Sequence, residues 1–476
     1  MSPTTLYDPE VIHSTPAIGR VERRPLRPVR PRKPFKSAKF LAALLVVPSV
    51  LVILTLMAVC AEVALGLVGL GDDEYIKVDP ILGITHLENK WVDFRHEGFS
   101  RAKISSAGLR DIEHQLAKPT GVKRVAFIGD SKTQALQVNI EDTFARLVED
   151  NLNGQSGKKI DKTAPVDSTA AAPKKFETIN FGMSSYGLVQ YYVQFLSRVR
   201  QYSPDVTVVV YHIFDSTENL PKFGTLTMPA PTISLNNRDE LAIDYNFLDG
   251  WLETEGARFM IASEWLRRNC HLFQAMSADD FMLRTSSKWY QNIFGKLFAP
   301  FSGFYESAMR NVSLNQLGDY QAARKSIYDE TRSLDKQVSH ENIWTSTVIG
   351  RKAGSNATQG ADAGDSYKML HDAASAEVNL AGRIFRMLNR ACNKAGSKLV
   401  IVTLPAPDNM VFYFREIESL KKLGKKEGIT VIDANAAFPS LAPMQASPLY
   451  YRSHFSPAGH RKLASIITEG LRPLLK

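Results

Sequence analysis

The sequence predicts an α/β protein: three layers around a five-stranded parallel sheet, interrupted by a helical insertion and preceded by one transmembrane helix. Three observations predict it. Short runs rich in Val and Ile alternate with helical stretches, the pattern of a parallel sheet covered on both faces. The runs are apolar throughout rather than alternating, which fits strands buried on both sides. A chargeless run of 22 residues, Phe40 to Ala61, stands near the N-terminus.

The 476 residues are ordinary in composition, with 44% hydrophobic and 22% charged residues, so most of the chain is globular. Three cysteines exclude a disulfide-built scaffold. The net charge of +9 is local, because residues 1–39 hold nine basic and three acidic residues and so carry +6 of it. That segment also has seven prolines, which disfavour a packed core. With Tyr7 and Phe35 alone it has few aromatic residues to stack on bases, so no nucleic-acid partner is expected.

The run after the tail explains the charge. A helix of that length crosses the ~30 Å hydrocarbon core, and Pro48 is tolerated in such a helix. A cationic flank stays in the cytoplasm, which makes the bilayer a partner and puts the C-terminal part outside, periplasmic in a Gram-negative cell. A cleaved signal peptide is the competing reading. The basic region and the apolar run are both too long for one, and Val59 spoils a lipoprotein box at Met57–Cys60.

Residues 62–118 read as a linker or stalk, and 119–476 as the main domain. Val122–Ile128 is the first strand, followed by a helix over Thr133–Asn153. Phe176–Phe181 is the second strand, with a helix running on to Tyr202. Val206–Phe214 is the third. A helix over Ala373–Ala395, a strand at Lys398–Leu404 and a helix to about Glu427 follow. A strand at Ile429–Asp433 and a helix from Pro457 complete the chain. Gln155–Lys175 reads as an exposed loop. Residues 220–367 form the insertion, with helical pieces at Arg258–Met276 and Asp319–Gln337.

The first strand ends in Gly129-Asp130-Ser131. A serine on a strand-to-helix turn sits at the sheet edge near a helix N-terminus that favours negative charge, but its hydroxyl needs a base. The stretch Tyr451-Arg452-Ser453-His454-Phe455-Ser456-Pro457, before the last helix, supplies one in His454. Taken alone, an N-cap serine and a structural loop histidine explain each. Together, at the first strand and last helix of one sheet, they point to acyl chemistry.

These residues resemble the SGNH, or GDSL, hydrolase family. Val125-Ala126-Phe127-Ile128-Gly129-Asp130-Ser131 resembles its first block. Asn180-Phe181-Gly182-Met183-Ser184-Ser185-Tyr186-Gly187 resembles the second. Ser203-Pro204-Asp205 with the strand after it resembles the third. His454 with Gly459 and His460 resembles the last. Gly108-Leu109-Arg110-Asp111 is similar to the segment before the domain in membrane-anchored bacterial members. The resemblance spans about 104–220 and 370–476.

It implies a flavodoxin-like sheet and ester hydrolysis or acyl transfer. Ser131 would be the nucleophile and His454 the base. Oxyanion donors would be the N–H of Ser131, an N–H from Gly182 or Ser185, and a third-block side chain. That last position falls on Asp215, with Asn219 four residues on as a substitute. The family's acid before the histidine is absent, since Arg452 and Tyr451 stand there. A backbone carbonyl would orient His454, or Asp433 would, although Asp433 also fits a plain strand-end role. An acyl ester on an envelope or extracellular polysaccharide is the implied substrate. The alternative is a catalytically weakened domain that binds or assembles envelope components.

Other signals are plain. No His, Cys or carboxylate cluster has zinc spacing and no phosphate-binding glycine loop occurs, so neither metal nor cofactor is expected. His212 beside Tyr211 reads as a sheet-end histidine or as a site residue. Cys270 and Cys392 pair or stay as thiols.

Overall fold

The computed structural model describes residues 37–68, 74–155, 175–212, 215, 229–235, 238–277, 311–341, 380–405, 411–438 and 447–476. By its contacts the chain divides into two units, Met1–Cys60 and Ala61–Lys476. Helix α1, Ser37–Val68, contains Pro48 and a window, Val46–Leu67, of mean hydropathy 2.5 that is long and apolar enough to cross a membrane. It runs past the expected end at Ala61. Glu62, in its last turns, accepts N–H groups from His271 and Leu272 at 2.7 Å each.

The main sheet is parallel throughout. Its strands are β5 (Lys123–Gly129), β6 (Phe176–Asn180), β7 (Val206–Tyr211), β10 (Lys398–Thr403) and β11 (Thr430–Asp433), in the spatial order β11-β10-β7-β5-β6. The first strand therefore lies between the second and third. The order reverses there, and open α/β sheets bind ligands at that crevice, beyond the carboxyl ends of the strands.

Alternate side chains of each strand feed two cores. Ala126, Ile128, Val209, Tyr211, Leu399 and Ile401 face one side, against α4 (Leu188–Ser197), α10 (380–394) and α11 (Val411–Glu427). Val125, Phe127, Val208, Val210, Val400 and Val402 face the other, against α3 (Phe144–Leu152) and α12 (Pro457–Leu471). These strands read as continuous apolar runs because both faces are buried.

The helix expected over Thr133–Asn153 is three pieces. One turn, α2 (Ser131–Gln134), ends at Ala135 in the left-handed region (φ 58°); a 3-10 turn follows, and Thr143 caps α3. The interruption frees the backbone of 134–138 to accept the buried Arg110 guanidinium, which reaches Gln134 O at 3.2 Å and Val138 O at 2.5 Å.

The segment read as a linker is structured. It holds two antiparallel hairpins, β1 (Ile76–Asp79) with β2 (Gly83–His86), and β3 (Trp91–Phe94) with β4 (Ser100–Lys103). Leu82 and Ile84 belong to the main core, and Val92 and Ile104 pack with Leu136 beside the first strand's turn. Four-residue strands carry too little periodicity to stand out.

The insertion is partly helical, as expected, and also contains a third hairpin, β8 (Thr232–Leu235) with β9 (Leu241–Asp244). The stretch expected as one helix over Arg258–Met276 is α6 (Glu255–Ala262), α7 (Glu264–Asn269) and α8 (His271–Ser277), after α5 (Asn246–Leu252). The helix α9 (Tyr320–Asp335) matches its expected span closely. Buried Asp335 ties the insertion down, accepting Arg383 of α10 at 2.5 Å and the Leu241 N–H at 2.9 Å.

Candidate functional site

Ser131 opens α2 at the carboxyl end of β5. The Asp130 carboxylate caps the turn, accepting the Lys132 N–H at 2.9 Å, and the Asp130 carbonyl takes the N–H groups of Thr133 and Gln134. The first-turn donor Asp130 does not take is that of Ser131 itself, at the positive end of the helix dipole. Burial pushes the Asp130 carboxyl up, but the Lys132 ammonium holds it below its usual range.

The loop after β6 packs directly on this turn. A Cβ on Gly182 would sit 2.3 Å from Gln134 N, so only glycine allows the approach. Asn180 clamps the contact, donating to Thr133 O at 2.8 Å and accepting the Gly182 N–H at 2.9 Å. That bond removes Gly182 as an oxyanion donor. Ser185 is the remaining second-block residue. It is half-buried and sits in the left-handed region, φ 63°. Its neighbour Ser184 donates its N–H to Gln134 Oε1 at 3.2 Å, and Gln134 Nε2 meets His86 Nε2 at 2.6 Å. Burial holds His86 down to about 4. At neutral pH its uncharged ring gives a proton to Gly108 O, 2.9 Å away, and accepts from Gln134.

His454 lies in the loop before α12, which Ser456 caps. Its Nε2 is 2.9 Å from Ser131 Oγ. Its Nδ1 is 2.5 Å from Oε2 of Glu97, in the tip between β3 and β4. The other Glu97 oxygen accepts three consecutive N–H groups, from Arg452 and Ser453 at 2.5 Å and from His454 at 3.2 Å. One carboxylate thus shapes the loop and orients the imidazole. Partial burial pushes Glu97 up, but the bonds from His454 and Ser453 outweigh it and hold the carboxyl below the usual range.

Sequence reasoning missed Glu97. It found the family's acid absent at Arg452 and Tyr451, and left a backbone carbonyl or Asp433 to orient His454, with a strand-end role favoured for Asp433. Asp433 is occupied elsewhere, accepting the Asn435 N–H at 3.0 Å and Thr403 Oγ1 at 3.2 Å and pairing with Lys421 at 2.9 Å. The one local signal was the Glu97-Gly98 pair, which marks a turn, but the runs on either side are too short to show a period.

Asp215 is buried, and its Oδ2 accepts the His212 N–H at 2.7 Å. Asn219 lies outside the described residues. Burial, with Lys132 nearby, pushes His212 down to about 3, so its ring is neutral. Asp130, His212 and Asp215 offer one ligand atom each, all within 4.8 Å of one another. Among the described residues these could hold a cation near Ser131, and Asp130 is already paired with Lys132 at 3.4 Å. His460 is structural. Buried and neutral, it accepts the Phe144 N–H at 3.2 Å and meets Gln137 Nε2 at 3.2 Å. All three cysteines are free, so Cys270 and Cys392 do not pair.

No protein-family model and no curated protein matches the chain. Among solved structures it is similar to that of TesA, at 9% identity and a TM-score of 0.31, covering 74% of this chain and 99% of that one. A likeness at that level carries no argument about activity, and the site stands on its own geometry.

Proposed function

We propose that the chain is a membrane-anchored serine esterase or acyltransferase of the SGNH type, acting on acyl esters of an envelope or extracellular polysaccharide. The observation that carries this is the relay from Glu97 through His454 to Ser131, with 2.5 Å and 2.9 Å between its members. Nucleophile, base and orienting acid in that order are the geometry of acyl transfer through serine.

Glu97 accepts the Nδ1–H, so Nε2 carries the lone pair that faces the Ser131 hydroxyl. Ser131 Oγ attacks the acyl carbonyl as His454 takes its proton, and the imidazolium is stabilised by the Glu97 carboxylate. The N–H groups of Ser131 and Ser185 hold the oxyanion. Collapse expels the alcohol, which takes the proton from His454 Nε2, and leaves an acyl ester on Ser131. Water or a sugar hydroxyl, deprotonated by His454, then attacks that ester and releases Ser131. Asp215 stands where the family places an amide donor. The loss of one such donor typically costs about 10²–10³ in kcat, so a slow enzyme is expected. The same residue is what favours the second reading, a weakened site that binds rather than turns over.

The basic tail before an apolar helix supports a single-pass inner-membrane protein with its N-terminus in the cytoplasm and this domain outside it. The test uses the full-length chain in detergent, a fluorophosphonate probe and 4-nitrophenyl acetate. Covalent labelling and hydrolysis are expected, and both should vanish in Ser131→Ala. Equal labelling of the folded Ser131→Ala chain overturns the assignment, and an unlabelled folded wild type selects the second reading.

A further inference from the structure

The hairpin that delivers Glu97 has a second face. Strand alternation turns Val92 and Phe94 inward, towards Leu136 and Tyr75, and Ser100 is buried with its hydroxyl on Leu136 O. The opposite face carries Trp91 and Asp93 on β3, with Arg95 just after it, and Arg101 and Lys103 on β4, with Phe99 just before it; Trp91 is paired to Lys103 and Asp93 to Arg101. The rings are not hidden: Trp91 is 48% and Phe99 59% exposed. An arginine stands beside each, Arg101 5.5 Å from the Trp91 ring and Arg95 5.8 Å from that of Phe99. Asp93, with 3% of its side chain exposed, lies beneath and meets Arg95 at 3.0 Å and Arg101 at 3.4 Å. The result is a stripe of two exposed rings and three cations, Arg95, Arg101 and Lys103, above the covered Asp93.

Two further facts aim this stripe at the chemistry. It spans about 13 Å at ~3.3 Å per residue and ends at Glu97, which is bonded to His454. The tip is also wedged against the catalytic loop: a Cβ on Gly98 would fall 2.6 Å from the Tyr451 ring. Exposed aromatic residues that contribute nothing to a core have a use where a ligand covers them. Rings stack on the apolar faces of sugars, and arginine forks pair with carboxylates.

We propose that the outer face of the β3–β4 hairpin is the subsite that holds an acidic, carboxylate-bearing glycan chain with its acylated hydroxyl at Ser131. This rests on the esterase reading and narrows its substrate from any polysaccharide to an anionic one. Arg95, Arg101 and Lys103 neutralise the polymer's carboxylates, and Trp91 and Phe99 stack on its rings.

The test separates the two ideas by measuring binding without turnover. The full-length Ser131→Ala chain in detergent is titrated with fluorescent polygalacturonate, with neutral dextran and with oligo-dT, read by anisotropy. Polygalacturonate is expected to bind at least about tenfold more tightly than either other polymer, an advantage of ~1.4 kcal/mol that added salt reduces. Adding Arg101→Glu and Lys103→Glu should remove that preference. Phe99→Ala, a truncation at an exposed position, checks the stacking half and guards against misfolding of the charge reversal. Unchanged polygalacturonate binding in both variants overturns the proposal, as does tighter binding of dextran or oligo-dT. Selective binding together with an unlabelled Ser131 keeps the subsite and removes the esterase.

Discussion

The turn that carries Ser131 and the loop that carries His454 meet at 2.9 Å, yet the chain fixes them by different means. The Ser131 turn is built from the sheet outward. A buried strand delivers it, Asp130 caps it, Gly182 admits the next loop, and Arg110 and Asn180 tie both to the backbone behind. The His454 loop has a slighter frame, with Tyr451 N–H on His454 O at 2.9 Å, Ser456 N–H on Leu449 O at 2.8 Å and Phe455 in the core. Its Arg452, Ser453 and His454 N–H groups converge on one carboxylate, 357 residues from His454 in sequence. The first device is packing, spread over many contacts. The second adds to a short turn a single polar group that takes three N–H groups and the imidazole together. The nucleophile side should therefore tolerate one change at a time, and the base side should not.

Glu97→Gln is the largest way to break that comparison. Glutamine keeps an acceptor for the three loop N–H groups, so the loop stays folded. Its amide, however, donates towards Nδ1 and puts the imidazole proton on Nε2, facing Ser131. The base is then the wrong tautomer, which in serine hydrolases with a substituted orienting acid costs about 10⁴ in kcat. The expected outcome is a fall of roughly 10³–10⁴ in kcat with KM unchanged, and partial rescue by Glu97→Asp. A proportional rise in KM, or equal losses in both substitutions, makes Glu97 a structural residue only.

Acid and alkali should sharpen the comparison, because the two sides are pinned by groups shifted in opposite directions. Behind the Ser131 side, His114 lies between Glu177 at 2.7 Å and Asp111 at 3.1 Å, and Asp111 also accepts the Asn180 N–H at 2.8 Å. Burial pushes His114 down, but those two carboxylates outweigh it and raise it to about 9. Its contribution is fully present below the unfolded value near 6.5 and is lost as pH rises towards 9. With 1% of its side chain exposed, the loss is on the order of 3 kcal/mol. Glu97 is held below its usual range, so its contribution is present above about 4.5 and fades as pH falls through the folded value. Unfolding free energy measured by denaturant should thus decline from pH 7 to 9, and His114→Gln should flatten that limb only. A flat alkaline limb in the parent chain defeats this account.

What was legible in the residues follows the same division. The five strands, the chargeless helix and the Ser131 turn were readable because their signals are local: apolar runs, a Gly-Asp-Ser turn, a proline-led last helix. His454 was readable from its place before that helix. Glu97 was not, because nothing in Phe94–Phe99 marks a carboxylate as bound for a loop near the other end of the chain. The hairpins of 76–103 were hidden by strands too short to show a period, and the break at Ala135 by a stretch whose composition suits a helix throughout. Gly182 stood beside Ser185 as a candidate oxyanion donor because spacing cannot show that Asn180 already holds its N–H.

Asp433→Asn has the smallest expected effect and draws the sharpest line around Glu97. Asp433, at the end of β11, was the alternative acid the sequence offered, although a strand-end role explained it better. In the structure it accepts the Asn435 N–H and the Thr403 hydroxyl, and asparagine keeps that acceptor. What is lost is the pair with Lys421, in which 38% of the lysine and 20% of the aspartate side chain are exposed. Such a pair contributes about 0–1 kcal/mol, so turnover should stay within about twofold and Tm should shift by no more than a few degrees. Set beside Glu97→Gln, the substitution removes one negative charge from the same protein and should leave its chemistry intact. A loss comparable to that of Glu97→Gln would return the orienting role to Asp433 and reduce the 2.5 Å contact between Glu97 and His454 to a loop anchor.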